Sequence, residues 1–436
     1  MTLATAAEAV LAAAGRDALE VFALSRRVRT RRWRGDEPAG ELLRHERGIA
    51  VRVRREGRVG LAAACGPFDA ADLVASARVA ARSGPAFPSS FAEHPVASED
   101  AAAGPEAPDK CSEPPVRELA QRLHDRHPDA RLSLQFVESE EERLILSTEG
   151  VRAYDCRRAT MVRAIASRAD SGEVLDLFYE APWPADSTDV DALLRWLVLR
   201  LRWTRRRAAM PCNDLPVILT PRALDALVAQ PLAAALAGPA LLDGTSFLSG
   251  QRPEEPSVRG LTLLDDPTLT GAPRSRRFDD EGVPTRRREL LRRGVVAGYA
   301  LDLSAAERLG MESTGSAWRR WDAWPAAEPA TLVVHGGSTD VTRLLGTWPR
   351  AVLIDEVAGE WFSDVGEAGV AASAHLAFLV EGGEVVGRVR GVSLSAARDD
   401  LLRGEVVLSQ EVAWVGDRAL LPWVHAAGLA VSDADV

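Results

Sequence analysis

Runs in which apolar and charged residues alternate constrain the fold of this chain more than any other feature of its sequence. Residues 48–54 read Gly-Ile-Ala-Val-Arg-Val-Arg, and Glu56-Gly57-Arg58 follows as a turn before a further extended run. A period of two is typical of a strand, whose side chains point alternately to its two faces. The sequence therefore predicts a β-hairpin here, with one buried and one solvent-exposed face.

Similar patterns organise the first half of the chain. Strands are predicted within residues 18–35 and 131–176, where residues 132–139 and 143–150 read as two separate strands. Apolar periodicity predicts helices over residues 3–14, 69–82, 116–127 and 187–207, and Asp69 is the expected N-cap of the second. Residues 84–115 are rich in Pro, Ser, Ala and acidic residues and are predicted to form a loop. We interpret residues 1–210 as an N-terminal α/β domain.

The pattern changes near residue 215. A short strand is predicted at 216–220 and an apolar helix at 221–237, which ends at Gly238. Many short extended runs separated by glycine turns follow, which is typical of a β-rich architecture. We therefore predict an α+β protein, in which residues 211–436 form a β-rich, barrel-like C-terminal domain.

Composition excludes several classes of function. The 436-residue chain has a net charge of −10, which argues against a general nucleic-acid binder, since such proteins need basic surface to neutralise phosphates. Its four cysteines form no CxxC pair, so a thiolate zinc site is not indicated. The sequence shows neither a signal peptide nor an apolar run of membrane-spanning length. These observations favour a cytoplasmic protein without nucleic-acid or membrane partners.

Five carboxylates lie within 17 positions, at Asp265, Asp266, Asp279, Asp280 and Glu281. They stand beside turn signals, namely Asp-Pro and Glu-Gly-Val-Pro. Such a cluster could face a substrate or a second subunit. It could equally cap turns and form ion pairs with the neighbouring arginines, because Asp side chains bond readily to turn amides. Those arginines are Arg274, Arg276 and Arg277.

Three tryptophans, Trp318, Trp321 and Trp324, occur close together, and Arg319 and Arg320 lie between the first two. Clustered Trp and Arg residues are typical of the energetically dominant parts of protein interfaces. Ordinary packing in the core explains the cluster equally well, so both interpretations stay open.

Several motifs occur in a fixed order along the chain. The most specific read GTSFLSG at 244–250, FDDEGVPT at 278–285 and GVVAGY at 294–299, and others lie at 46–53, 56–60, 264–267, 313–315, 362–363 and 381–384. On these motifs the chain resembles the TldD/PmbA family, the so-called modulators of DNA gyrase, over nearly its full length.

The resemblance also indicates which kind of subunit this is. In the TldD kind, an HExxxH helix upstream of the GTSxxSG segment and a late cysteine hold zinc. The matching positions here carry Ala229, Gln230 and Ala234, and no cysteine follows Cys212. Alanine offers zinc no lone pair, and an amide does not replace the carboxylate of a general base. The resemblance therefore implies the TldE (PmbA) kind, with no catalytic residue, metal site or cofactor of its own.

By the same resemblance, the chain pairs with a TldD-like subunit that carries the zinc, and the heterodimer acts as a metallopeptidase on extended or unfolded peptides. Relatives act in peptide maturation, protein turnover and natural-product biosynthesis. The chain would help to form the cleft that holds the substrate. The residues expected at that cleft or at the subunit interface are Asp279, Asp280, Glu281, Gly282, Trp318 and Arg319.

Two alternatives stay open at this point. The chain could be a diverged enzyme that cleaves an amide or peptide bond in natural-product biosynthesis without the usual zinc motif. It could also be a non-enzymatic, homodimeric peptide-binding protein.

Overall fold

The structure is a computed structural model. It describes residues 2–87, 90–92, 112–170, 172–184, 190–248, 258–358, 370–396 and 404–433. Most of the predicted loop at 84–115, the end of the GTSFLSG motif and the motif at 362–363 lie outside these ranges. Within the described ranges, no helix is both long and apolar enough to span a membrane.

The N-terminal half is built on a six-stranded sheet in which every neighbouring pair is antiparallel, in the order β3-β2-β1-β4-β5-β6. The predicted hairpin is confirmed, and its turn residues Glu56 and Gly57 both have positive φ, as a two-residue hairpin loop favours. The strands are β1 (Ala18–Arg34), β2 (Glu37–Arg55), β3 (Arg58–Ala64), β4 (Arg131–Ser147), β5 (Arg152–Asp170) and β6 (Glu173–Pro182).

The sequence prediction ended the strands at residue 176, whereas β6 continues to Pro182, and it also differs from the structure at β4. Residues 132–139 and 143–150 do not form two strands, because β4 continues through the acidic run at 140–142. Cross-strand arginines make this possible: Glu140 and Glu141 lie opposite Arg158 and Arg157 of β5. Opposite charges at facing positions of two strands stabilise the pair. The sequence of β4 by itself does not show the arginines of β5, so it does not predict that the strand continues through the acidic run.

Four helices cover one face of this sheet. They are α1 (Leu3–Ala12), α2 (Ala70–Ala81), α3 (Val116–Arg126) and α4 (Asp191–Trp203), close to the predicted ranges. Asp69 is the N-cap of α2, as predicted, and its carboxylate accepts a hydrogen bond from the Asp72 N–H at 3.0 Å. The helices α1 and α2 pack on one end of the sheet, whereas α3 and α4 pack on the other end.

The C-terminal half contains a 12-stranded mixed sheet, which forms a half-barrel. The predicted α+β class and the barrel-like second half are thereby confirmed. The main path of the sheet runs β10-β9-β8-β13-β19-β7-β14-β15-β17-β20, while β16 pairs with β15 and β18 with β19. Its strands are β7 (Val217–Leu219), β8 (Leu263–Asp265), β9 (Arg288–Arg292), β10 (Val295–Val296), β13 (Leu332–Val333), β14 (Arg350–Ala358), β15 (Val370–Glu381), β16 (Glu384–Val389), β17 (Val392–Ala396), β18 (Val406–Val415), β19 (Ala419–Ala426) and β20 (Ala430–Asp433).

Smaller elements complete this half. Strands β11 (Ala317–Trp318) and β12 (Ala326–Ala327) form a separate ribbon. The helices are α5 (Pro221–Leu224), α6 (Gln230–Ala235), α7 (Gly238–Leu242), α8 (Leu303–Arg308) and α9 (Val341–Leu345).

The helix predicted at 221–237 is interrupted. A π-helical turn, Asp225–Ala229, separates α5 from α6. Pro231 has no N–H to donate to the carbonyl four residues earlier, and this loss favours a local change of helical repeat. The backbone N–H of Gln230 accordingly bonds to the carbonyl of Asp225, five residues earlier.

The two sheets share one hydrophobic core cluster. It includes Phe136 of β4, Leu177 of β6, Leu197 of α4, Leu353 of β14 and Phe378 of β15. Helix α4 contacts both β6 and β16. The two halves of the chain are therefore packed against each other through a common apolar interior.

Candidate functional site

The carboxylate-rich segment 278–285 packs against the face of the six-stranded sheet that lies opposite α1, α2, α3 and α4. Phe278 is buried beside Phe22 of β1 and Ile145 of β4. The following turn brings Gly282 to φ +82°, where a Cβ atom would lie 2.8 Å from Cγ1 of Val151. Glycine is therefore required here both by backbone conformation and by the closeness of the sheet.

Asp279, Asp280 and Glu281 are each at most 1% exposed, and their side chains bind inward. Asp279 caps its own turn, because its Oδ1 accepts from the N–H groups of Glu281 at 3.0 Å and Val283 at 2.9 Å. Its Oδ2 accepts from the N–H of Ala317 at 2.9 Å. This carboxylate thus ties the turn to the ribbon formed by β11 and β12.

Asp280 and Glu281 pair with arginines of the N-terminal sheet. Nη1 of Arg143 lies 2.7 Å from Oδ1 of Asp280, and Nη1 of Arg52 lies 2.8 Å from Oε1 of Glu281. Of the three arginines proposed from the sequence, only Arg276 pairs with the cluster, at 3.9 Å from Asp280.

The other two proposed arginines have different partners. Arg274 pairs with Glu328 and Asp417, and Arg277 pairs with Asp155. The shortest ion pairs of Asp280 and Glu281 are therefore with Arg143 and Arg52, which approach from distant strands.

A further carboxylate, that of Glu20, lies at the centre of the same network. Arg52 binds it in a bidentate manner, with Nε to Oε1 at 3.0 Å and Nη2 to Oε2 at 2.5 Å. Arg319 adds a third contact, Nη2 to Oε1 at 2.7 Å, while its guanidinium lies 4.2 Å from the centroid of the Phe22 ring. Arg319 thereby joins the C-terminal half to β1.

This network also corrects the prediction that one face of the hairpin of β2 and β3 is exposed to solvent. Arg52 is 2% exposed, and both faces of β2 are buried over residues 48–53. The apolar face packs on helices, while the other face meets the carboxylate-rich segment. The alternation of arginine with apolar residues therefore reflects buried ion pairs and not solvent.

Burial shifts the acidities of these groups in different directions. Burial, opposed by Arg52 but aided by Asp279, Asp302 and Glu20, raises the pKa of Glu281 to about 7. Burial likewise raises the pKa of Asp279 to about 6 against the hydrogen bonds from Ala317, Val283 and Glu281. Burial alone would raise the pKa of Glu20, but Arg52 and Arg319 together hold it below its ordinary value.

A cavity of about 760 Å³ lies beside the turn. Gly282 lines it, whereas the three preceding carboxylates do not. Part of the cavity wall is apolar and is formed by Leu303, Ala306 and Met311. The carboxylate of Glu307 also lines the cavity, and its buried Oε2 has no hydrogen-bond partner among the described residues. A cavity of this size with a mixed lining can hold one or more side chains of a peptide.

The three tryptophans of the predicted cluster have separate environments. Trp318 is half-buried and is surrounded by the guanidinium groups of four arginines, at 4.7 to 5.5 Å from its ring centroid: Arg143, Arg157, Arg274 and Arg276. Trp321 lies directly on Gly48 of β2, where an added Cβ would come within 2.1 Å of its ring. Trp324 is 42% exposed and lines a smaller cavity of about 220 Å³.

The positions matched to the zinc motif lie on the π-helical turn and α6. Ala229 is buried, and the side chain of Gln230 donates to Oδ1 of Asp225 at 3.1 Å. Nη1 of Arg418 donates to the side-chain amide oxygen Oε1 of Gln230 at 3.4 Å. With methyl groups at 229 and 234 and an amide at 230, the residues at these positions do not fit a zinc ion.

Reasoning from the sequence missed several of these groups. Burial raises the pKa of Asp225 to about 6, and its nearest signal in the sequence was its position five residues before Gln230. Glu20, Arg52 and Arg143 were likewise missed, since each lies in an ordinary alternating strand. Charged residues at strand positions otherwise occupied by apolar side chains were the available signal.

The sequence of the C-terminal half matches a known protein family. Residues 212–433 match the description "PmbA/TldA metallopeptidase C-terminal domain". The chain belongs to the PmbA/TldD family.

Relatives within the PmbA/TldD family are distant. A Haemophilus influenzae protein named "Metalloprotease TldD homolog" is 22% identical over 314 residues, which cover 68% of this chain and 62% of that protein. Its "Metalloprotease PmbA homolog" is 27% identical over 203 residues, covering 46% of this chain and 42% of that protein. In each case the aligned part spans less than two thirds of the relative.

Two solved structures share the fold over nearly the whole chain. TldE from Thermococcus kodakarensis superposes with a TM-score of 0.81 at 21% identity, covering 98% of this chain and 100% of that one. A putative modulator of a DNA gyrase from Thermotoga maritima gives 0.78 at 18% identity, covering 99% and 100%. At these identities the likeness establishes the fold.

Proposed function

We propose that this chain is the non-catalytic, TldE-like subunit of a heterodimeric TldD/TldE-type zinc metallopeptidase. In this proposal the partner is a TldD-like subunit, which holds the zinc and the general base. This chain supplies part of the cleft that receives an extended peptide.

The observation that carries the proposal is the chemistry of residues 229–234. A peptidase of this kind needs imidazole ligands and a carboxylate that activates water. Ala229 and Ala234 have neither lone pair nor charge, and the Gln230 amide is engaged by Asp225 and Arg418. Membership of a metallopeptidase family without these groups favours a supporting role.

The geometry beside Gly282 supports the substrate-holding part of the proposal. The cavity next to the turn offers apolar wall and a carboxylate, whereas the buried network of Asp279, Asp280 and Glu281 fixes the turn that borders it. In this role the three carboxylates position the cavity wall, and the side chains at the wall contact the peptide. The N–H of Arg319 donates to Oδ2 of Asp280 at 2.9 Å, and the Trp318 ring lies 5.1 Å from the guanidinium of Arg143, which pairs with Asp280.

Metal analysis of a purified complex tests the proposal. The chain would be expressed alone and together with a TldD-like protein of the same genome that carries HExxxH. We expect no stoichiometric zinc in the chain alone, about one zinc per heterodimer, and peptidase activity that a chelator abolishes. One zinc in the isolated chain, or elution only as a homodimer beside the candidate partner, would refute the proposal.

A further inference from the structure

Among the described residues, the carboxylate-rich segment covers one end of the sheet face that lies opposite α1, α2, α3 and α4. At the other end this face forms a concave surface with a cavity of about 300 Å³, lined by residues of β1, β2, β4 and β5. We call this surface the arginine face. Its charged lining consists of Arg26, Arg32, Arg44 and Arg163 with a single carboxylate, Glu46.

Two of these arginines have no ionic partner among the described residues. On the opposite, helix-bearing face of the same strand, Arg27 pairs with Glu140, Arg29 with Glu41, and Arg31 with Glu138. On the arginine face, Arg26 and Arg163 pair with Glu141 and Glu180, whereas neither Arg32 nor Arg44 pairs with a carboxylate in the described part of the chain. The surplus positive charge therefore belongs to one face of the sheet.

This surplus stands out against the charge of the whole chain, which is −10. A concave positive patch on an acidic protein attracts anionic groups. Guanidinium groups on adjacent strands also suit carboxylates, which they can bind through two parallel hydrogen bonds.

The remaining lining indicates which anion fits. Thr30 lies between Leu42 and Val137 in the register of β2, β1 and β4, so a less polar row runs across the sheet between the arginines. Arg44 of β2 lies opposite Val28 of β1, and Arg32 lies four residues further along β1. At ~3.3 Å per residue, the two unpaired arginines are therefore roughly 13 Å apart along the strand direction. An extended polypeptide presents carboxylates and aliphatic side chains at such spacings.

We propose that the arginine face docks an extended acidic segment of another polypeptide chain, whose carboxylates bind Arg32 and Arg44 and whose aliphatic side chains contact Leu42. A nucleic acid suits the face less well. Among the described residues, no aromatic side chain lines its cavity for stacking on bases. The inference goes beyond the proposed peptidase role and does not require it.

Binding of a labelled synthetic peptide to the full chain tests the inference. The probe has about ten residues with the repeat Glu-Ser-Val-Ser, in which glutamate and valine share one face of an extended peptide, and the same peptide with lysine in place of glutamate is its control. We expect saturable binding of the glutamate peptide only, weakened by added salt. The double variant Arg32→Glu/Arg44→Glu should weaken binding at least about tenfold.

The matched control is Arg27→Glu, on the same strand but on the other face, where the arginine side chain is 64% exposed. It should leave binding of the glutamate peptide unchanged. Circular dichroism and the melting temperature of the double variant should match the wild type, since both replaced side chains are exposed and unpaired.

Equal binding of both peptides, or equal binding by the double variant, would overturn the inference. So would displacement of the peptide by single-stranded DNA at lower concentration, or self-association of the chain that the double variant abolishes. None of these outcomes bears on the zinc content of the heterodimer, so the two proposals fail separately.

Discussion

Gly282 is the residue at which the backbone, the carboxylate turn and the cavity meet. Its φ is +82°, and a methyl group there would lie 2.8 Å from Val151. Gly271 has a similar φ, +77°, but an added Cβ would meet nothing within 4 Å. Comparing alanine substitutions at Gly282 and Gly271 therefore distinguishes the cost of the backbone conformation from the cost of the steric clash.

We expect Gly282→Ala to lower the free energy of unfolding by more than Gly271→Ala, which should cost only about 1 kcal/mol from backbone conformation. The additional loss in Gly282→Ala comes from displacing the turn from the sheet. Urea unfolding of both variants at pH 7 measures the difference. Equal losses would show that the sheet yields to the added methyl group.

Because its pKa is raised, Glu281 should make the free energy of unfolding depend on pH in an unusual direction. Its folded pKa is about 7, above the ordinary value of 4.5, so the folded state binds this proton more tightly than the unfolded state. Its contribution to stability is therefore present at low pH and is lost as pH rises from 4.5 through 7. The full loss is on the order of 3 kcal/mol for a shift of this size.

We expect the difference in unfolding free energy between Glu281→Gln and wild type to move in favour of the variant from pH 5 to pH 8. The amide keeps an acceptor for the N–H of Leu303, which now bonds to Glu281 at 2.8 Å. Urea titrations at several pH values supply the curve, and Glu37→Gln, at an exposed carboxylate, serves as the control. A difference that stays constant with pH would contradict the raised pKa.

Among the elements, α4 shows how a single buried pair fixes a helix between two sheets. Arg200 of α4 binds Asp355 of β14 in a bidentate manner, with Nη2 to Oδ1 at 2.7 Å and Nε to Oδ2 at 2.9 Å. Both side chains are at most 4% exposed, and the guanidinium lies 4.0 Å from the ring centroid of Trp196. Neither charge can reach water if its partner is removed.

We expect Arg200→Met to cost about 3–5 kcal/mol, because Asp355 would stay buried without a counter-charge. The double variant Arg200→Met/Asp355→Leu should recover part of that loss. Arg350 and Glu381 form the exposed control pair at 2.9 Å, and Arg350→Met should cost below about 1 kcal/mol. Similar losses at the two sites, measured by urea unfolding, would show that burial does not strengthen the pair.

The elements also show what the sequence could and could not predict. Helix α2 was placed to within a residue because Asp69 acts locally through the Asp72 N–H. The continuity of β4 was missed because Arg157 and Arg158, which neutralise its acidic run, belong to another strand. The interruption at Asp225–Ala229 was missed because the apolar residues of 221–237 continue on both sides of Pro231.

The candidate site follows the same distinction. The sequence identified the turn at 278–285 and the replaced zinc-motif residues, both of which are continuous segments. It did not identify Arg143, Arg52 or Glu20 as members of the charged network around the turn. These contacts join residues more than a hundred positions apart or depend on the packing of the two sheets. Long-range pairing of charges is a property of the folded chain.

At the scale of the whole molecule, the two halves are joined by both apolar and ionic contacts. Leu197, Leu353 and Phe378 belong to one buried cluster, and the pairs Arg52–Glu281 and Arg143–Asp280 cross between the halves. Exposing one half to water would leave buried charges of the other half unpaired.

We therefore expect the chain to unfold in a single cooperative transition. Tryptophan fluorescence reports on both halves, since Trp196 and Trp203 lie in α4 and Trp318 lies in β11. Urea curves from fluorescence and from far-UV circular dichroism should superimpose. Two separated transitions would indicate that the halves are independent domains.

The contact of Trp321 with Gly48 has a consequence for how related sequences can vary. A ring in van der Waals contact with the backbone of β2 leaves no volume for a side chain at position 48. The two positions are 273 residues apart in the sequence yet must change together. Relatives that carry alanine or a larger residue at 48 should carry a smaller residue at 321, and this paired substitution would appear as covariation between the two halves.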